Sequence, residues 1–186
     1  MGNESFNLIV NGLFTSVVRY CIHVFGNVWI TAEDSDRRYR AFTKKGNHKL
    51  QVLQNRVLKM KLNLPASSNI SCKDLVRMTG DMSIHQLTAY FTLSQSLVTV
   101  STKKPSYLAK KLVLKKPAGV DGVFPHRQLN CINVDRNLTI ARSGFVSRGA
   151  KLWNLLPLDL RSKDKTSSFK SGVKMWIKEY VSEKPP

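Results

Sequence analysis

The stretch at residues 147–157, which reads Ser-Arg-Gly-Ala-Lys-Leu-Trp-Asn-Leu-Leu-Pro, constrains the fold more than any other. Five of its residues are apolar: Ala150, Leu152, Trp153, Leu155 and Leu156. Proline lacks a backbone N–H and its ring clashes with a preceding helical turn, so Pro157 should end the helix. The stretch therefore predicts a short apolar helix, entered through basic residues, that other parts of the chain must cover. Because leucines surround Trp153, we expect its ring in a core rather than stacked on a base.

A second helix is predicted at residues 48–64 by apolar residues that recur at three- and four-residue steps. These residues form one stripe: Leu50, Leu53, Val57, Met60 and Leu64. A stripe of this kind predicts a helix that packs along that face.

Helix starts can be assigned from their capping residues. Ser71 is expected to cap a short helix at 72–79, and Ser83 to cap a helix at about 84–100. Pro105 suits the first turn of a short helix that continues through Leu114.

The C-terminal third of the chain changes character twice. Residues 115–147 contain prolines and glycines that exclude a long helix, and partial alternation at 129–134 and 138–141 allows two short strands. Ser168 is then expected to cap a final amphipathic helix. The predicted fold is mainly α, a small helical bundle with an irregular, two-stranded segment at about 127–147 and a C-terminal amphipathic helix.

The charge balance indicates the class of partner. Lys and Arg number 30 against 12 Asp and Glu, which gives a net charge of +18. Such an excess favours polyanions, with nucleic acid first and anionic membranes second. Three widely spaced cysteines, Cys21, Cys72 and Cys131, fit a reducing compartment and have no zinc-ligand spacing. We therefore expect an intracellular protein, cytoplasmic or nuclear, that is not secreted and uses no metal or other cofactor.

The basic residues are concentrated in a window at 37–73 that holds no Asp or Glu. At 100° per residue, Lys49, Arg56 and Lys59 share an arc of about 80° beside the apolar stripe. One face of this helix could pack while its neighbour meets phosphates. Lys44 and Lys45 lie in the same window. The competing interpretation is that these charges only keep a bundle helix solvated.

Several segments together resemble the C-terminal region of reverse transcriptases encoded by non-LTR (LINE-type) retrotransposons. Residues 148–161 are similar to that family's pattern Arg-Gly-Ala-x-Leu-Trp-Asn-x-Leu-Pro-x-x-Leu-Arg, and residues 167–170 to the Ser-x-x-x-Phe-Lys helix that follows it. Residues 49–57 resemble the Leu-x-x-x-Gln-Asn/Lys-Arg-Ala helix of the thumb. Residues 105–108 match Pro-x-Tyr-Leu.

The resemblance implies a division into three parts. Residues 5–114 would be a thumb-like helical domain, 115–147 an irregular basic linker, and 148–182 a C-terminal helical extension. In the family this region grips the template–primer duplex, so the implied partner is RNA, an RNA–DNA hybrid or DNA, bound through phosphates. A full-length reverse transcriptase is a second implied partner. The candidate contacts are Lys49, Arg56 and Lys59, then Lys44, Lys45, Arg142, Arg148 and Lys151.

The chemistry of a polymerase is not expected from these residues. Two-metal catalysis needs paired carboxylates, which the family carries as two adjacent aspartates, and this chain has no Asp-Asp pair. No catalytic residue is assigned, and the resemblance implies a catalytically incomplete fragment that is not an enzyme on its own.

Two other interpretations remain open. The chain could be a basic helical interaction protein, or an inert retrotransposon remnant with no specific ligand. It could instead be a peripheral membrane protein that uses residues 5–30 as an interfacial helix. Stable insertion is not expected, because Asn11, Arg19 and His23 interrupt that apolar run.

Overall fold

The computed structural model describes residues 44–114, 131–132, 145–163 and 165–180, together with residues 9, 12, 14 and 16. This part of the chain is mainly helical, as predicted. It contains seven helices: α1 (Lys44–Lys61), α2 (Cys72–Thr79), α3 (Ile84–Thr102), α4 (Ser106–Ala109), α5 (Phe145–Leu155), α6 (Leu158–Arg161) and α7 (Thr166–Tyr180). The chain divides into two compact units between Thr88 and Ala89, within α3.

The core of the first unit lies between α1 and α2. Leu58 of α1 is buried with Cys72, Leu75 and Val76 of α2, and three partly buried residues of the connecting loop and helix end close the cluster: Leu62, Leu64 and Ile70. Burying these side chains removes apolar surface from water, which is the main force that holds the two helices together.

The C-terminal end of α1 is fixed by Asn63, which takes a left-handed conformation at φ 53°. The Leu64 amide donates to the Lys59 carbonyl at 2.9 Å and the Asn63 amide to the Met60 carbonyl at 3.1 Å. This pair of bonds is the Schellman arrangement, in which asparagine is the commonest substitute for glycine. The helix therefore ends at Lys61, three residues before the predicted end at Leu64, and it begins four residues before the predicted start.

The predicted apolar stripe of α1 is only partly correct. Leu53 is 49% exposed and Met60 is 59% exposed, whereas the buried side of the helix contains Gln54 and Leu58. Gln54 is buried because its Nε2 donates to the Met82 carbonyl at 2.7 Å. Periodicity alone located the helix but only part of its buried face, since Leu50 and Val57 of the stripe are half-buried and a glutamine with a backbone partner can be buried as completely as a leucine.

Both predicted caps between residues 71 and 86 are confirmed. Ser71 Oγ accepts from the Asp74 amide at 3.2 Å, and α2 is followed by the C-cap residue Gly80, which has φ 68°. Ser83 Oγ accepts from the Gln86 amide at 3.3 Å while Gln86 Oε1 accepts from the Ser83 amide at 3.2 Å. This reciprocal capping box starts α3 at the predicted residue.

Helix α3 is longer than predicted and α4 is shorter. Helix α3 continues to Thr102, and the Lys103 amide closes it with a bond to the Thr99 carbonyl at 3.0 Å. Helix α4 ends at Ala109 instead of continuing through Leu114. Turn bonds continue as far as the Leu112 amide, which donates to the Leu108 carbonyl at 2.8 Å, and Leu114 then forms an antiparallel bridge with Ile132, so the helix cannot continue through Leu114.

The core of the second unit forms around the predicted apolar helix, α5. Trp153 is 1% exposed and stacks on Phe169 of α7 with 5.5 Å between ring centroids. The prediction that Trp153 is a core residue is confirmed. Gly149 lets α5 approach α3, because a Cβ at this position would lie 2.6 Å from Ser96 Oγ. Pro157 stops α5, as predicted, and occupies the N-cap position of α6.

The last helix begins earlier than predicted. Helix α7 starts at Thr166, and its first hydrogen bond runs from the Phe169 amide to the Lys165 carbonyl at 3.0 Å. Ser168 therefore lies inside the first turn rather than at the cap. Phe169, Val173 and Ile177 form its buried face, which fits the predicted amphipathic pattern.

Other predictions concern residues outside the described part. These are the helix at 5–30 and most of the segment at 115–147, including the two short strands. Of the strand segment the structure describes only Cys131 and Ile132, and no strand occurs among the described residues.

Candidate nucleic-acid interface

The exposed side of α1 presents two of the predicted phosphate contacts. Lys49 and Arg56 both lie on this surface, two helical turns apart, which corresponds to about 10 Å along the axis. Three exposed apolar side chains share the face with them: Val52, Leu53 and Met60. No acidic residue occurs in the sequence between 37 and 73, so the face carries positive charge without a local counter-charge from this segment.

Lys59 differs from the other two members of the predicted arc. Its Nζ donates to the Ser68 carbonyl at 2.6 Å and to the Ala66 carbonyl at 3.0 Å. Two of its three N–H donors therefore hold the loop after α1 against the end of the helix. Lys61 is also occupied, since its Nζ contacts Asp81 Oδ2 at 2.8 Å.

The secondary candidates are separated by the structure. Arg148 is buried in α5, and burial lowers the pKa of its guanidinium to about 10 because the charged form loses hydration. It remains a cation at neutral pH but is not on a surface that a phosphate can reach. Lys151 is exposed on α5. Lys44 and Lys45 form the start of α1, and Arg142 lies outside the described residues.

The polar residues of the stretch at 147–161 hold a distant segment in place. Asn154 Nδ2 donates to the Ile132 carbonyl at 3.0 Å, and its Oδ1 accepts from the Ile132 amide at 2.8 Å. Arg161 Nη1 donates to Cys131 Sγ at 2.7 Å. These contacts were missed at the sequence level, because Asn154 and Arg161 were given no structural role there. The available signal was Asn154 between apolar residues in the last turn of α5, because a half-buried amide needs partners.

Neither a metal site nor a membrane-spanning helix occurs in the part of the chain that the structure describes. Its His, Cys, Asp and Glu residues form no group that could hold a metal ion. None of its helices has the length and apolarity needed to cross a membrane. Comparisons of the chain with protein-family models, with curated proteins and with solved structures find no match.

Proposed function

We propose that this chain binds the phosphate backbone of nucleic acid without regard to sequence, as the thumb of a non-LTR retrotransposon reverse transcriptase grips its template–primer. The observation that carries the proposal is the exposed pair Lys49 and Arg56 on α1, in a window with no acidic residue. In this proposal the chain is the thumb and C-terminal region of such an enzyme and has no polymerase activity of its own.

The contacts define the character of the binding. A lysine ammonium and an arginine guanidinium on one helix face are donors without acceptors, so they match phosphate oxygens rather than base edges. The net charge of +18 would bring the polyanion to the protein from a distance, and the helix would fix where it docks. RNA, RNA–DNA hybrid and DNA duplexes all offer this backbone, and a full-length reverse transcriptase would be a further partner in trans.

The salt dependence of duplex binding tests the proposal. We expect log affinity to fall linearly with log salt, with a slope of about 0.9 per phosphate neutralised on B-DNA. Replacing Lys49 and Arg56 together with Gln should flatten that slope by about two units. Thermal stability should hardly change, because both side chains are exposed. Lys59 is left intact because its two carbonyl bonds make it part of the fold.

The matched control replaces Lys73 of α2 and Lys174 of α7 with Gln. Both lysines are exposed, and their replacement removes the same two positive charges as the Lys49 and Arg56 double substitution. Fluorescence anisotropy with one labelled duplex at several salt concentrations measures both variants. If the two variants lose slope equally, binding is diffuse charge attraction and the chain behaves as a basic protein with no specific ligand. If neither variant loses slope, α1 is not the contact.

Primer extension tests the catalytic part of the proposal. Without an adjacent aspartate pair to hold two metal ions, the purified chain should not extend a primer with deoxynucleotides and Mg²⁺ or Mn²⁺. The measurement is a gel assay on a labelled RNA–DNA template–primer, with an active reverse transcriptase as positive control. Template-dependent extension by the purified chain would refute this part.

A further inference from the structure

A second acid-free window follows the first, at residues 82–120. Its described lysines flank one aromatic residue in the sequence of the turn after α3. Lys103, Lys104, Lys110 and Lys111 are all exposed, and Tyr107 at their centre is 66% exposed. This basic turn, residues 103–111, therefore combines four cations and an accessible aromatic ring within nine positions of the chain.

The inner side of the basic turn is anchored, which fixes the outward position of the ring. Leu112 is 1% exposed, and its amide donates to the Leu108 carbonyl at 2.8 Å. Leu108 and Ala109 are half-buried, and the Lys110 amide donates to the Ser106 carbonyl at 3.0 Å. Leu112 is thus the buried anchor of the turn, and Tyr107 and the four lysines lie on its exposed side.

One of the four lysines occupies a backbone position that suits glycine. Lys103 has φ 58° where it ends α3. Left-handed residues at helix ends are usually Gly, because a Cβ is strained there. A lysine at this position gives up some stability and adds a cation to the turn, and strained backbone of this kind clusters at ligand-binding sites.

We propose that the basic turn binds single-stranded nucleic acid, with one unpaired base stacked on Tyr107 and the neighbouring phosphates on its lysines. Aromatic rings flanked by cations are the usual means of holding unpaired strands without reading their sequence. A duplex keeps its base faces stacked on one another, so the ring has no partner there. This proposal goes beyond the grip of α1 on duplex phosphates and does not depend on it.

The test compares two oligonucleotides of equal length, an oligothymidylate and an abasic strand with the same phosphates but no bases. Tyr107→Ala should weaken binding of oligothymidylate by about 5- to 150-fold, the range found when a stacking aromatic is removed. It should leave the abasic strand unaffected. Tyr107→Phe keeps the ring and should retain affinity for both strands. Fluorescence anisotropy at fixed salt measures all of these.

The matched control is Tyr180→Ala on α7, because Tyr180 is also 66% exposed. It should leave the affinity for oligothymidylate unchanged. Equal losses at Tyr107 and Tyr180, equal losses on thymidylate and abasic strands, or no loss at all would each overturn the proposal. Circular dichroism of every variant excludes unfolding as the cause of a loss.

Lys103→Gly separates binding from folding in a single substitution. Glycine relaxes the left-handed backbone, so the melting temperature should rise by a few degrees. The same change removes a cation, so the slope of log affinity against log salt on oligothymidylate should flatten by about 0.7. A variant that is stabilised but keeps the full salt slope would show that Lys103 makes no phosphate contact, which would contradict the proposal.

The two nucleic-acid proposals can fail separately. Tyr107→Ala should leave duplex affinity unchanged, and the Lys49 and Arg56 double substitution should leave the base-dependent part of thymidylate binding unchanged. Suppose that the α1 variant keeps the full salt slope of duplex binding while Tyr107→Ala still lowers the affinity for oligothymidylate. The proposal of duplex binding by α1 is then wrong, and the proposal for the basic turn is supported. The reverse pattern rejects the basic turn alone.

Discussion

Trp153→Ala is expected to destabilise the second unit by about 3–5 kcal/mol, the usual cost of truncating a large buried aromatic side chain. Trp153 is 1% exposed and stacks on Phe169, which is itself fully buried, so the substitution removes both burial and an aromatic contact. Close-packed neighbours collapse only partly into such a cavity, which adds to the loss. The helical circular dichroism signal, followed in urea, measures the change.

The control for this prediction is Trp176→Ala in α7. Trp176 is only half-buried and stacks on the exposed Tyr180, so its removal should cost clearly less than that of Trp153. If Trp153→Ala left stability unchanged but weakened nucleic-acid binding, the ring would be a stacking platform and its assignment to the core would be wrong.

Helix positions in this chain could be predicted from local signals. The capping pairs at Ser71 and Ser83 are local in sequence, since each side chain bonds an amide three residues later. Proline at 157 is equally local, because it removes a donor and blocks the preceding turn. Such signals act within one helical turn and do not depend on what the rest of the chain packs against.

The buried face of α1 could not be predicted in the same way. Gln51 and Gln54 face inward because the Ile84 amide and the Met82 carbonyl, about thirty residues away, need partners at the start of α3. Hydropathy counts a glutamine as polar and cannot know that a distant backbone group will satisfy it. The prediction that α4 continues through Leu114 is wrong for a similar reason, since Leu114 bridges Ile132, a position far away in the sequence.

The candidate site could also be predicted only in part, because some of its residues depend on contacts with distant segments. The arc of Lys49, Arg56 and Lys59 follows from helix geometry, and the exposure of the first two agrees with it. Lys59 and Arg148 differ because their surroundings come from other segments: the loop carbonyls of Ala66 and Ser68, and the interior around α5. A cation in the sequence can bind phosphate, hold a loop or lie in a core, and only the tertiary contacts distinguish these roles.

Asn154→Leu is expected to destabilise the second unit by about 2–6 kcal/mol, although leucine is similar in size and favours helices. The Asn154 amide group bonds both backbone groups of Ile132, whose residue is fully buried. Leucine would leave a buried N–H and a buried carbonyl without these bonds, and each such loss costs about 1–3 kcal/mol. Urea denaturation followed by circular dichroism measures the sum.

The control is Asn69→Leu, because Asn69 is exposed in the loop before α2 and its replacement should change stability by no more than about 0.5 kcal/mol. Hydrogen exchange gives a second and more local measurement of the two bonds between Asn154 and Ile132. In the unmodified chain the Ile132 amide should exchange slowly, since its donor is held by Asn154 Oδ1 at 2.8 Å. In Asn154→Leu that amide should exchange faster than global unfolding allows, because the segment at 131–132 can detach from α5 by itself.

A protected Ile132 amide together with a stability loss below about 1 kcal/mol would contradict this prediction. Water or another group would then have replaced the Asn154 side-chain amide as the partner of Ile132. The stretch at 147–157 would then owe its fold to apolar packing alone.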